Sequence, residues 1–220
     1  MPAGAASRND PHMKSLRRST LQRNVDPSPP DWRAAFGRTA PIEVDLGCGR
    51  GDYAWQAAVI RPGINVVALD SRKKWIEHLR DRCSAEDLGN LLAIRCDILE
   101  DLPILFRRGS INAFTIHHPD PWWKKRHRKR RLIQPAMIEQ LASFLVEGGW
   151  IYLQTDVPDL AAEIRALFSN SESFDEIDAL QVHDEWMGCL RSHREKKCIE
   201  LGIPFTSMAY VLADNKRLER

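Results

Sequence analysis

The sequence predicts an α/β fold: a doubly wound, mostly parallel sheet with helices on both faces. Three observations carry this expectation. From Pro41 onward, strand-like runs alternate with helix-like segments, the pattern of parallel strands joined by crossover helices. The strand runs are short, apolar and bounded by turns, with amphipathic segments between them, so the sheet needs cover on both faces. Past Phe168 the alternation loosens into two strand runs without a strong helix between them, which predicts an antiparallel pair at the sheet edge.

The elements follow in order. "IEVDL" at 42–46 reads as a strand and is followed by a helix from Asp52 to Ile60. "INVVALD" at 64–70, a helix from Arg72 to about Asp87 and "NLLAIRC" at 90–96 repeat the unit. A short helix from Leu99 to Phe106 precedes "INAFTIHH" at 111–118, which runs into a proline-rich and basic loop. A helix from about Leu132 to Val146, the strand "GGWIYLQT" and a helix from Pro158 to Phe168 complete the alternating part. "SFDEIDALQV" and "PFTSMAYVL" are the last two strands, with a short helix in the segment between them. In such a sheet a ligand site lies beyond the carboxyl ends of the strands.

A chain of 220 residues, 43% of them hydrophobic, is long enough for one good core. Residues 41–220 are expected to form one domain. Residues 1–40 read as a flexible basic N-terminal arm, because Ser, Pro, Arg and Ala dominate there and "DPSPPD" at 26–31 suits neither a continuous helix nor a strand. The formal charge is only +2, yet positive charge is concentrated at 124–131. The five cysteines (Cys48, Cys83, Cys96, Cys189, Cys198) form neither C-x-x-C nor a zinc pattern, which fits a reduced, cytoplasmic setting. The N-terminus has no apolar signal-peptide core, and no apolar run approaches the roughly 20 residues of a membrane helix, so a soluble protein without a membrane partner is expected.

The first strand opens into "DLGCGRGD", Asp45 to Asp52. Gly47, Gly49 and Gly51 allow positive φ and close approach of a ligand to the backbone, and the helix that follows offers unpaired N–H groups. Asp52 stands where a dinucleotide fingerprint needs its third glycine, so the spacing is wrong for NAD or FAD. Asp45 and Asp52 would repel a pyrophosphate but suit a ligand with a positive amino group. Asp70 ends the second strand, where a carboxylate takes both hydroxyls of a ribose, and Asp97 ends the third, placed to accept from an adenine amino group. Together these residues describe a site for S-adenosylmethionine. The alternative is a plain strand-to-helix turn with the acids acting as helix caps.

With "DLGCGRG", "ALD", "CD" and "HPDPWWKKRHRKRR" in that order, the chain resembles the bacterial tRNA (guanine-N7-)-methyltransferase family, within the class I S-adenosylmethionine-dependent methyltransferases. The resemblance extends over nearly all of 41–212. It implies a Rossmann-like, seven-stranded sheet with the last strand antiparallel, cofactor contacts at Asp45, Asp70, Asp97 and Asp120, and tRNA as substrate. It also implies a catalytic role for Asp120 of the P-D-P segment, substrate contacts by Lys124 and by Asp156 of "QTDVPDL", and RNA contacts by Arg126, His127, Arg128, Lys129, Arg130 and Arg131. Where the family has T-K-F/Y-E, this chain reads Ser192-His193-Arg194-Glu195, which keeps the hydroxyl and the acid as substrate contacts. A monomer or homodimer without an obligatory protein partner is expected.

Guanine N7 carries a free lone pair, so its methylation needs alignment rather than a strong base. The product purine is cationic, and a carboxylate held near it accelerates transfer to the extent that it stabilises the transition state more than the ground state. Asp120, between Pro119 and Pro121, is the candidate. Glu195 at the base's Watson–Crick edge would select guanine, and Lys124 would donate to O6. The density of charge in "KKRHRKRR" suits several phosphates. Of Trp122 and Trp123, at least one is expected to pack under the loop. His117 and His118 are read as strand-end packing residues, with no metal site expected. Competing readings are a class I methyltransferase acting on another RNA or a small molecule, which would not need the basic block, and a non-catalytic RNA-binding module, which would not need the four acids.

Overall fold

The structure, a computed structural model, describes residues 29–182, 186 and 188–214. Its centre is a seven-stranded sheet built from β1 (Ile42–Leu46), β2 (Asn65–Asp70), β3 (Leu91–Arg95), β4 (Ile111–His117), β5 (Leu145–Thr155), β6 (Phe174–Ile177) and β7 (Thr206–Leu212). The spatial order is β3-β2-β1-β4-β5-β7-β6. β7 runs antiparallel to both β5 and β6, and the other neighbours pair parallel. The helices are α1 (Trp32–Phe36), α2 (Asp52–Ile60), α3 (Lys73–Ala85), α4 (Ile98–Leu105), α5 (Pro135–Phe144), α6 (Pro158–Ser169), α7 (Ala179–Val182) and α8 (His193–Leu201).

Side chains alternate across a strand, and β2 shows the consequence. Val67 and Leu69 join a core with Phe106, Leu141 and Ile164, on the face covered by α1, α4, α5 and α6. Val66 and Ala68 join a second core with Tyr53, Ala57, Ile76 and Leu79, on the face covered by α2 and α3. Helices therefore cover both faces, as expected. Each large apolar side chain buried this way stabilises the fold by roughly 1.5–3 kcal/mol.

Three expectations need correction. The N-terminal arm does not extend to residue 40. Asp31 accepts the Ala34 N–H as a helix cap, Gly37 ends α1 at φ 67°, and Trp32 donates its indole N–H to Leu105 O at 3.0 Å with its ring buried beside Phe106. Two buried aromatics make this segment part of the core, while residues 1–28 lie outside the described residues. The helix expected to reach Val146 ends at Phe144, because Leu145 already pairs with Ile111. The strand expected over 173–182 stops at Ile177, and Ala179–Val182 turns into α7 with Asp178 accepting the Leu180 N–H.

The antiparallel pair lies at the edge, as expected, but β7 is its inner member. The last described strand is inserted between β5 and β6.

Candidate active site

β1 ends in the glycine loop, where Gly47, Gly49 and Gly51 all have positive φ, at 78°, 54° and 75°. Gly51 is doubly constrained, because a Cβ there would lie 2.5 Å from Leu79 Cδ2. Gly47 and Cys48 both donate their N–H to Leu69 O at 2.9 Å, and Gly49 donates to Asp70 Oδ2 at 2.9 Å. The loop is thereby tied to the end of β2. The other oxygen of Asp70 accepts the Arg72 N–H at 2.8 Å, so this buried carboxylate is fixed in place.

Asp45 is 1% exposed. Its Oδ1 lies 3.4 Å from Thr115 Oγ1 and 3.5 Å from His117 Nδ1, while Oδ2 has no hydrogen-bond partner among the described residues. Burial pushes the Asp45 carboxyl up from its ordinary range, with His117 opposing the shift.

A cavity of about 480 Å³ opens at the carboxyl ends of β1, β4 and β5. Strand order reverses between β1 and β4, so the cavity sits at the switch point where open α/β sheets bind ligands. Of the residues expected in the site, Asp45, Gly47, Gly49, Asp156 and Ser192 line it. Pro119, Pro121 and Trp123 close one side. Asp120 itself is exposed, and its Oδ1 accepts the Trp122 N–H at 3.1 Å. Asp97 is exposed and takes the helix-cap alternative, accepting the Leu99 N–H at 3.1 Å.

Beyond Trp123, residues Lys125–Arg130 form a 3-10 helix. Lys124, Arg126, Arg128, Lys129 and Arg130 are exposed on it or at its start, and Arg130 lies over the Trp122 ring. His127 meets Trp122 edge-on. Arg131 departs from its expected phosphate role. It is buried, donates to Pro121 O at 2.7 Å and pairs with Glu163 on α6, so it anchors the Pro-Asp-Pro turn from below.

Glu195 also departs from expectation. Ser192 Oγ accepts the Glu195 N–H and Glu195 Oε2 accepts the Ser192 N–H, a capping box at the start of α8, while Oε1 pairs with Arg191 at 3.1 Å. A buried carboxylate so engaged is a structural group. Its sequence signal was the S-x-x-E spacing itself.

The histidine pair is more than strand-end packing, for both residues line the cavity. His118, at φ 49°, places Nδ1 2.9 Å from Asp156 Oδ1, and Arg194 holds the other oxygen of Asp156, with Nε at 3.1 Å. Burial would raise the Asp156 carboxyl, but the bonds from Arg194 and His118 outweigh it and hold the group below its ordinary value. Burial pushes the His118 ring down against the pull of Asp156, so the ring is neutral. His118, Asp156 and Cys198 bring three ligand atoms within 4.8 Å of one another. Arg194 already neutralises the carboxylate, and burial pushes the Cys198 thiol up, away from the thiolate a metal needs. Arg50, Tyr53, Arg72, Trp75, Val157 and His193 also line the cavity, and sequence reading assigned them no place there.

These residues fit S-adenosylmethionine. The unpartnered Asp45 Oδ2 suits an ammonium group, and the open space beside Gly47 admits a ligand close to the backbone. Sheet order, glycine loop and strand-end acids around one cavity define a class I methyltransferase. The same fold occurs in the 16S rRNA methyltransferase KamB, with a TM-score of 0.58 at 16% identity over 83% of this chain and 93% of that one. It occurs too in TrmN from Thermus thermophilus, with a TM-score of 0.55 at 19% identity over 82% and 46%.

Sequence similarity narrows the class. A family model described as a putative methyltransferase matches residues 39–208. The tRNA (guanine-N(7)-)-methyltransferase of Microcystis aeruginosa is 31% identical over 185 residues, covering 80% of this chain and 86% of that protein. The same-named protein of Myxococcus xanthus is 37% identical over 143 residues, covering 65% and 69%. The chain belongs to the tRNA (guanine-N7-)-methyltransferase family.

Proposed function

We propose that the chain transfers the methyl group of S-adenosylmethionine to N7 of a guanine in tRNA, forming 7-methylguanosine. One observation carries this reading: a single cavity is bounded on one side by the glycine loop with Asp45 and on the other by the turn from which the basic 3-10 helix springs. A small-molecule methyltransferase has no use for that helix.

Asp45, Asp70 and the glycine loop would hold the cofactor, which when bound supplies an electrophilic methyl group on a sulfonium. Guanine N7 attacks with its own lone pair, so the protein's task is to align, to exclude water and to stabilise charge. Asp120 stands between two prolines that line the cavity, and its carboxylate is our candidate to face the purine as it becomes cationic. Exposed Arg126, Arg128, Lys129 and Arg130 would contact RNA phosphates, with Lys124 nearest the cavity wall at Trp123. The five free cysteines support a cytoplasmic setting. Among the described residues no helix is long and apolar enough to cross a membrane. The partner is tRNA, and the chain acts as a monomer or homodimer.

Incubation with unmodified tRNA and methyl-labelled cofactor, followed by mapping of the labelled nucleotide, tests the reading. Label at N1 or N2 of guanine, or on a ribose, sinks it. Asp120→Ala is expected to lower kcat by roughly 10²- to 10³-fold, the scale for losing one preorganised electrostatic contact. Unchanged turnover removes Asp120 from the mechanism, and lost cofactor binding moves it from catalysis to binding.

A further inference from the structure

Methylation at a guanine requires that guanine be told from adenine. Glu195, expected to do this, is spent on its capping box and on Arg191. Another polar group beside the cavity stands unengaged. We infer that His118 selects the guanine, accepting its N1–H at Nε2; this rests on the methyl-transfer reading above.

The argument begins with the tautomer. Asp156 accepts at Nδ1 from 2.9 Å, which holds the ring proton there and leaves Nε2 with a bare lone pair. Arg194 holds Asp156 as an anion, so this polarity is fixed. The His118 side chain is 5% exposed, its ring is braced edge-on by Phe205, and Nε2 has no hydrogen-bond partner among the described residues. Such a nitrogen carries a cost unless a ligand meets it. The charged or titratable groups around the ring are Asp156, Arg194, His117, Glu195 and Cys198, and burial favours the neutral imidazole among them.

Position supports the same conclusion. His118 follows β4 and Asp156 follows β5, on the other side of the switch point from the glycine loop and Asp70. That half of the cavity is left for the acceptor base.

The chemistry then distinguishes the bases. Guanine presents a donor at N1, whereas adenine presents a lone pair that would oppose Nε2. Methylation at N7 makes the purine cationic and its N1–H a stronger donor. A neutral acceptor at N1–H is therefore bound more tightly in the transition state than in the ground state, which raises kcat rather than lowering KM alone. No proton need leave the base.

The test uses the full chain with two variants and an altered substrate. His118→Asn suits the positive φ and keeps an amide in reach of Asp156, but ends short of Nε2. His118→Gln places an acceptor near the Nε2 position. Expected for His118→Asn is a fall in kcat of roughly 10- to 100-fold, the size of an unmet buried hydrogen bond. KM for tRNA and calorimetric affinity for S-adenosylhomocysteine stay within about twofold on the same scale, and His118→Gln recovers part of the loss.

Substrate tRNA carrying 2-aminopurine at the target position, which has no N1–H, provides a readout independent of variant folding. The unaltered chain is expected to methylate it at least tenfold more slowly than guanine, and His118→Asn to lose that preference. Equal rates on the two bases with the unaltered chain overturn the proposal. So does wild-type kcat in His118→Asn, or loss of its cofactor affinity. Failure of the unaltered chain to methylate N7 of any guanine in tRNA sinks the underlying reading instead, and is recognised without any variant.

Discussion

At the scale of the residue, Asp45 shows a binding group that the fold maintains at a cost. Burial raises its pKa, so the folded state holds a proton that the unfolded chain has released between its ordinary value near 3.8 and the raised one. Its contribution to stability is therefore most favourable below 3.8, declines across that window, and is a full penalty above the raised pKa. Cofactor binding runs the other way, because an ammonium needs the carboxylate. Affinity for S-adenosylmethionine should fall as pH drops through the raised value, at a higher pH than an ordinary aspartate would give. Asp45→Asn is expected to weaken cofactor binding by roughly 10- to 100-fold while leaving the thermal midpoint unchanged or raised. Calorimetric titration beside a melting curve checks both halves, and a midpoint that falls would show that Asp45 has a structural partner. The place of Asp45 at the cavity was legible in sequence because it stands at the end of β1 beside the glycine loop. The His118 to Asp156 pair was not, since it joins residues 38 positions apart whose meeting depends on the pairing of β4 with β5.

At the scale of the element, α8 presents Ser192, His193 and Arg194 to the cavity from its first turn. The capping box fixes that turn. Ser192→Ala should cost about 1 kcal/mol of stability, and Glu195→Ala about 1–2 kcal/mol because its ion pair with Arg191 is lost as well. Glu195→Gln, which retains the capping geometry, should keep kcat for methyl transfer within a few fold. A loss of guanine preference in Glu195→Gln would return the residue to substrate recognition. The elements themselves were largely legible, because alternation and turn residues decide a strand or helix locally. α1 was not: Asp31, Trp32, Phe36 and Gly37 carry its cap, its buried face and its stop, but they sit in a stretch whose composition reads as an arm. α7 hid inside a strand-like apolar run, where Asp178 supplied a turn that periodicity does not register.

At the scale of the whole molecule, charge and topology divide the work. The chain is nearly neutral, yet exposed cations on the 3-10 helix flank a cavity in which Arg72 pairs with Asp70 and Arg194 with Asp156. Each phosphate contact contributes a slope of about −0.7 to −0.9 in log K against log salt, so Arg126→Ala, Arg128→Ala and Arg130→Ala combined should flatten the slope by about 2–3. Cofactor affinity should not change. A slope equal to that of the unaltered chain would place RNA on another face. The insertion of β7 between β5 and β6 also bears on how the protein is made. Chains emerge from the ribosome at about 5–20 residues per second, N-terminus first. Until residue 212 is out, β5 has an open edge and β6 has no neighbour, so the sheet is complete only when its last described strand slots into an interior place. The Ser192 to Arg194 turn enters just ahead of that strand. The cofactor cradle of β1 and β2 can be laid down early, whereas the base-facing half waits for the closing strand. The Ser192 to Arg194 side of the cavity is thus put in place last, after the glycine loop and the basic 3-10 helix have both been made.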